Sequence, residues 1–321
     1  MDQTKASGGI GSMNLILTAP RPSALPSPQQ ETFRVLVLSD LHIPAHLEAT
    51  RQIATNGSLW RKLDFTVLLG DMVSSYGTEK EYEHIAKFIK QWPTPYAAIT
   101  GNHEFYFETP PVLENWGKGS LWNEAPPEIK TQKLARFAAY YGLDSLWRAG
   151  HTDLGSFLFL SLDDVANRKP ESFSQPQRDW LQLQLATQPG KPCYIFCHAP
   201  AMFERRLDMT YYDDSRTACV EFTRDEWPAF HDRPAPVFWF SGHIHLRPDH
   251  YMFPAYLASQ NVWQIHCPDS WGYSRWLREQ LSPQRHTDVH SRILEISANQ
   301  LNLIVHHHNT RQDIGAQMIT W

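Results

Sequence analysis

The chain has 321 residues, 42% of them hydrophobic, and a formal net charge of −5. That length and apolar fraction suffice for one large α/β core with decorations. The acidic balance excludes general attraction to nucleic-acid phosphates, so any affinity for phosphate must come from local groups. No stretch approaches the ~18 consecutive apolar residues of a membrane span, and Met13–Thr18 is too short for a secretory leader. A protein of the cytoplasm, with reduced cysteines, is expected.

Residues 1–30, rich in Ser, Pro, Gly and Gln, read as a disordered lead-in to a domain over 31–321. Gly8-Gly9-Ile10-Gly11 precedes any strand and so fails as a phosphate loop. Phe33–Ser39, Phe65–Leu69, Tyr96–Thr100, Phe157–Ser161, Cys193–Cys197 and Val237–Ser241 are nearly continuous apolar runs, the pattern of strands buried on both faces. Between them, Glu79–Gln91 places Tyr82, Ile85, Phe88 and Ile89 at helical spacing and closes before Pro93. Gln177–Gln188 predicts a second helix with Trp180, Leu181, Leu183 and Leu185 packing inward. Arg292–Ser297 and Gln300–His306 alternate around Asn299, which predicts a hairpin at a sheet edge. Strands alternating with helices, then a hairpin, predict an α/β fold: a four-layer αββα sandwich of two mixed sheets with helices on both outer faces.

Two further patterns carry little chemistry. Cys193 and Cys197 lie roughly 13 Å apart on one strand, too far to bridge. His306-His307-His308 sits on a strand, where alternation prevents all three rings from facing one ion.

Five blocks remain, each where a strand run ends: Asp40-Leu41-His42, Gly70-Asp71, Gly101-Asn102-His103-Glu104, His198, and Gly242-His243-Ile244-His245. Carboxylate, amide and imidazole groups are the donors that suit a pair of divalent first-row metals. Asp40 and His42, two apart at a strand terminus, can turn toward one ion. Asp71 has two carboxylate oxygens and can bridge two. Taken singly, each block is ordinary strand-end polarity. Taken together, they supply enough such donors for a pair of ions.

The order and composition of these blocks, over roughly residues 33–248, resemble the metallophosphoesterase (calcineurin-like phosphoesterase) family. The resemblance implies that one ion is held by Asp40, His42, Asp71 and His245, and the other by Asp71, Asn102, His198 and His243. It also implies a two-metal-dependent hydrolase of phosphate esters, in which a metal-bridging hydroxide attacks phosphorus. Mixed nitrogen and oxygen ligation accommodates Mn, Fe, Zn or Co. His103, beside Asn102, is expected to face the substrate and donate a proton to the leaving alkoxide. The plainer alternative for it is one more ligand, or a histidine behind the ligands. Glu104 either orients its neighbour or caps the following turn.

One departure stands out. Many relatives read Gly-Asp-x-x-Asp, with the second Asp orienting the histidine at the position of His103; here Ser74 stands in its place. The stretch Gly70–Tyr82, with Gln177, Trp180 and Leu181, is similar to the cyclic-nucleotide and glycerophosphodiester phosphodiesterase subgroup. That similarity implies small soluble phosphodiesters as substrates, with phosphomonoesters or a non-catalytic scaffold role as alternatives. Among 12 tryptophans and many other aromatics, Phe105, Tyr106, Phe107, Trp116, Trp122, Tyr211, Tyr212, Trp271, Tyr273 and Trp276 follow the blocks and are expected to roof the site or to pack satellite cores. Arg247 is the cation nearest the blocks. Arg205, Arg206, Arg275 and Arg278 read as surface residues, and Asp213-Asp214 as a solvated turn.

Overall fold

A computed structural model describes residues 32–90, 92–110, 123–203, 219–246, 248, 254–270 and 288–321. The described elements begin with β1 (Phe33–Leu38), α1 (Leu47–Ala54), α2 (Gly57–Trp60), β2 (Phe65–Leu68), α3 (Glu79–Ile89), β3 (Tyr96–Ala98) and α4 (Pro127–Tyr141). Then come β4 (Trp147–Thr152), β5 (Gly155–Leu160), α5 (Gln175–Thr187), β6 (Cys193–Cys197), β7 (Ala201–Met202), β8 (Val220–Glu221), α6 (Pro228–His231) and β9 (Val237–Ser241). The chain finishes with β10 (Ala255–Leu257), β11 (Val262–His266), β12 (His290–Ser297), β13 (Gln300–His307) and β14 (Gln312–Thr320).

The strands form two six-stranded mixed sheets, ordered β14-β13-β12-β1-β2-β3 and β10-β11-β9-β6-β5-β4, beside a small β7-β8 pair. Alternation along each strand sorts its side chains between layers. Val35 and Val37 of β1 face the second sheet and meet Phe157, Phe196 and Phe240 in the central core. Leu36 and Leu38 face outward, against Ile53 of α1, Ile85 of α3 and Phe137 of α4. In the second sheet, Cys193, Ile195 and Cys197 look outward to Leu181 and Leu185 of α5. The expected four-layer sandwich is therefore the observed one. Two aromatic ladders cross the second sheet in register: Phe157, Tyr194 and Phe238 stack with centroids 4.9 and 5.4 Å apart, and Phe159, Phe196 and Phe240 with 5.3 and 4.9 Å. Such pairs fix strand alignment as well as burying area.

The helix predicted from Glu79 starts there, behind a capping box in which the Thr78 and Glu81 side chains satisfy each other's backbone N–H groups. Two expectations need correction. Leu183 does not pack inward; it is 68% exposed. Leu181 and Leu185 share one face of α5, four residues apart, and Leu183 falls between them on the other side of the turn. The C-terminal hairpin is also not at the edge. β12 pairs antiparallel with β1, and β13 pairs with β14, so the outermost strand is Gln312–Thr320. That strand exposes most of its residues and so has no apolar alternation to announce it. In the His306–His308 stretch the ring nitrogens of His306 are bonded to Asn56 and Asp313, and His308 to Ser291. The 1–30 segment lies outside the described residues. No helix among the described residues is long and apolar enough to cross a membrane.

β1, β2 and β3 run parallel, as do β5, β6, β9 and β11. Their carboxyl ends meet along one edge of the sandwich, the place where α/β sheets present polar groups to ligands.

Candidate metal centre

All five blocks reach that edge. The loops after β1 and β2 are tied together by Asp40 N–H donating to Gly70 O (3.2 Å) and His42 N–H to Asp71 O (3.0 Å). The loops after β6 and β9 are joined by Gly242 N–H donating to His198 O (2.9 Å). The two sheets are stitched by His243 N–H, which donates to Asp40 Oδ2 at 3.1 Å. Gly101 is required sterically, since a Cβ there would collide with the Asp71 carboxylate. Asp40, His42, Asp71, His243 and His245 all have φ between 47° and 68°. Side chains rarely adopt that left-handed region, and strained backbone of this kind persists where surrounding structure over-determines it, characteristically at functional sites.

The side chains converge in two groups. Donor atoms of Asp40, His42 and His245 lie within 4.8 Å of one another, as do those of Asp71, His198 and His243. Asp71 also groups with His42 and His103 on the same criterion, so it stands between the two sets. His245 Nε2 is 3.4 Å from Asp40 Oδ1, and His198 Nε2 is 3.1 Å from Asp71 Oδ2. Asp40 Oδ1 and Asn102 Oδ1 are buried and make no hydrogen bond among the described residues. Buried oxygens without a hydrogen bond are costly, and at residues of these blocks a cation is a fitting partner for them. The donor set fits a pair of divalent cations.

Electrostatics agree. Burial raises the Asp40 carboxyl, yet the His245 and His198 imidazoles hold it below its ordinary value. Burial likewise opposes ionisation of Asp71, which His198 and His103 nevertheless keep well below the usual carboxylate range. Conversely, burial disfavours charge on His198, but Asp71 and Asp40 push it up to about 10. The same opposition, dominated by Asp40 and Asp269, lifts His245 to about 9. Two buried carboxylates hold positive charge here, as protons on imidazole or as metal ions in their place.

The remaining block does different work. His103 N–H donates to Asp71 Oδ1 at 2.9 Å, and its ring Nδ1 lies 2.8 Å from the Ser74 carbonyl oxygen. A carbonyl only accepts, so Nδ1 carries the hydrogen and Nε2, 3.8 Å from Asp71 Oδ2, faces the site. Ser74 therefore orients His103 through its backbone. Its hydroxyl is engaged elsewhere, donating to His42 O (2.6 Å) and accepting from Ala45 N–H (2.8 Å). Burial lowers the His103 imidazole from its usual value, against the pull of the Asp71 carboxylate and the Ser74 carbonyl. Glu104 neither caps the turn nor touches the ring of its neighbour. Its carboxylate accepts from the N–H groups of Gly101 (2.7 Å), Asp71 (2.9 Å), Met72 (2.8 Å) and Val73 (3.3 Å), and burial, aided by Asp71, pushes it up to about 7.

Residues 33–247 match the calcineurin-like phosphoesterase family. The chain belongs to that family. No curated protein matches it. Among solved structures, the purple acid phosphatase PPD1 from yellow lupin (Lupinus luteus) seeds superposes with a TM-score of 0.58 at 13% identity, covering 92% of this chain and 55% of that one. The chain thus spans about half the length of the lupin protein. PhoD gives 0.54 at 13% identity, with 94% and 70% covered. GAP50, the anchor in the inner membrane complex of Plasmodium, gives 0.51 at 11%, with 91% and 89% covered. These likenesses are of fold. This member of the family carries the metallophosphoesterase sandwich and its His/Asp clusters.

Of the aromatic residues expected over the site, Phe105 is fully buried and packs with Leu134 and Phe173, as does Tyr106 nearby. Phe107 is the exception: its ring meets His103 edge-on, centroids 5.3 Å apart. Trp116, Trp122, Tyr211, Tyr212, Trp271, Tyr273, Trp276, Asp213, Asp214, Arg205, Arg206, Arg275, Arg278 and Arg247 lie outside the described residues. Two buried acids that sequence reasoning passed over also belong to the centre. Glu171 Oε1 is 2.8 Å from His243 Nε2, and Asp269 Oδ2 is 3.2 Å from His245 Nδ1. Asp269 follows a strand, as the five blocks do, and that was its signal. Glu171 lies in a Ser- and Pro-rich loop that offered none.

Proposed function

We propose that the protein is a two-metal hydrolase of phosphate esters, acting on small soluble phosphodiesters. The observation that carries this reading is the convergence of Asp40, His42 and His245 on one side of Asp71, and of His198 and His243 on the other. In this reading Asp40, His42, Asp71 and His245 hold one cation, and Asp71, Asn102, His198 and His243 hold the second. Divalent cations there would supply Lewis-acid polarisation of the phosphoryl oxygens and acidify a water at neutral pH.

The chain's own residues then have separable tasks. Asp71 turns Oδ2 toward His198 Nε2, 3.1 Å away, while its Oδ1 anchors the His103 backbone. Glu104 holds the Asp71 and Gly101 loops at fixed separation through four N–H groups. His103 Nε2 is the atom that moves a proton. With Nδ1–H committed to Ser74 O, Nε2 gains a proton when an anionic ester enters, because nearby negative charge favours the imidazolium, and gives it to the leaving alkoxide. Phe107, edge-on to that ring, excludes water beside the leaving group. A scaffold of the same fold has no use for a histidine so placed.

Diester preference is supported by the likeness of Gly70–Tyr82 to phosphodiesterases and by the site's charge. The sequence places no Arg or Lys immediately beside the five blocks except Arg247, and a monoester's extra charge calls for such cations. The experiment is hydrolysis of p-nitrophenyl phosphate and bis-p-nitrophenyl phosphate by Mn²⁺-loaded protein, compared as kcat/KM. A higher value on the diester is expected. A large monoester preference that collapses in Arg247→Ala would make it a phosphomonoesterase, and no turnover of either ester would refute the enzyme.

A further inference from the structure

We propose that Glu171 and Asp269 are positioning residues, each bracing one imidazole of Gly242-His243-Ile244-His245 from behind so that the two rings present opposite nitrogens to the two cations. The inference rests on the ligand assignment above and adds residues that lie outside its motifs.

The geometry is specific. His243 bonds Glu171 through Nε2, at 2.8 Å, which leaves Nδ1 as its inward nitrogen. His245 bonds Asp269 through Nδ1, at 3.2 Å, and turns Nε2 toward Asp40 Oδ1, 3.4 Å away. A carboxylate only accepts, so each brace places the hydrogen on the nitrogen it touches and the lone pair on the other. Nδ1 lies closer to the backbone than Nε2. Two histidines only two residues apart thereby reach two different ions, one with a short arm and one with a long arm. Carboxylates behind ligating histidines set ring orientation and raise ligand basicity in this way.

Both braces are themselves held rigidly. Asp269 is bridged to Ser39 across the end of β1, with Ser270 N–H donating to Ser39 O at 2.9 Å. Glu171 stands in the loop between β5 and α5, and that loop is pinned by Asp163. Its carboxylate accepts from Ser174 N–H (2.7 Å), Ser174 Oγ (2.6 Å) and Gln177 Nε2 (2.7 Å). Both acids are 5% exposed, and Glu171 Oε2 makes no hydrogen bond among the described residues. A carboxylate buried with so little satisfaction is unfavourable unless positive charge stands close by, which the second cation, through His243, would provide.

The test uses the full chain loaded with Zn²⁺, which is diamagnetic, and histidine labelled with ¹⁵N. Long-range ¹H–¹⁵N spectra should show His243 coordinated through Nδ1 and His245 through Nε2. Coordination of neither ring would overturn the ligand assignment. Coordination of both through the same type of nitrogen would leave that assignment standing and overturn the bracing. Titration calorimetry with elemental analysis supplies the second readout. Glu171→Ala should weaken one Zn²⁺ by about 10–100-fold and Asp269→Ala the other, each leaving the remaining ion within about threefold. Glu171→Gln keeps an acceptor for the His243 N–H and should recover most of the affinity. If Glu171→Gln loses the ion as completely as Glu171→Ala, Glu171 is a ligand and the proposal fails. It fails equally if Glu171→Ala binds both ions as the wild type does.

Discussion

Replacing Glu104 by glutamine removes almost no volume, yet it should be among the most damaging single changes near the site. Glu104 is wholly buried. One carboxylate oxygen accepts from Asp71 and Gly101, the other from Met72 and Val73. Glutamine keeps one oxygen and turns an NH₂ group on the other pair, so two N–H groups lose their acceptor and meet donors. A hydrogen bond to a charged group is worth roughly 1.5–3 kcal/mol, so two lost bonds cost about 3–6 kcal/mol. Burial opposes the charge of Glu104, raising it to about 7, and relief of that desolvation offsets part of the loss. The expected net destabilisation is about 3 kcal/mol. Urea unfolding of the metal-free variant should show it directly, and thermal unfolding should show a Tm fall of roughly 4–5 °C. Because the slackened loop carries Asp71 at a φ of 50°, bound metal should fall as well. Unfolding free energy within about 0.5 kcal/mol of wild type would refute the reasoning, since it would mean the four N–H groups find other partners.

His103→Ala should slow hydrolysis of esters with poor leaving groups by about 10²–10⁴-fold and p-nitrophenyl esters far less; equal losses on both would rule out the proton-donor role. Ser74→Ala removes two hydroxyl hydrogen bonds, to His42 O and from Ala45 N–H, and should cost about 1–3 kcal/mol. It leaves the Ser74 carbonyl on His103 Nδ1, so kcat should change less than about threefold; a loss like that of His103→Ala would show that the hydroxyl orients the ring. Burial drives His266 from its usual 6.5 to about 3, so the unfolded chain binds a proton that the folded chain refuses. That contribution is complete above pH 6.5 and is lost as pH falls toward 3, about 2–3 kcal/mol between pH 6 and pH 4. His266→Gln should flatten the urea-measured stability profile over that window, and an unaltered slope would disprove the assignment.

What the sequence by itself determined lies mostly along the chain. The apolar runs before Asp40, Asp71, Asn102, His198 and His243 mark buried strands, because a strand covered on both faces needs apolar residues without interruption. Polar donors placed just after such runs must lie at the carboxyl edge, so the two-sheet sandwich and the ligand blocks could be read together. The tertiary structure decided the features whose partners carry no mark in the sequence. Leu183 faces solvent because α5 shows its sheet only the face of Leu181 and Leu185. The C-terminal strands join the first sheet beside β1 because β1 has an open antiparallel side there, a vacancy invisible from Arg292 onward. His103 is oriented by a backbone carbonyl, and every residue has one, so replacing an expected Asp by Ser74 gave no warning that the task was still done. Glu104 serves four N–H groups across two loops, and Glu171 reaches His243 across 72 positions of chain. Side-chain identity is local information, whereas satisfying buried polar groups depends on what the packed layers bring within about 3 Å, and only the assembled sandwich supplies that.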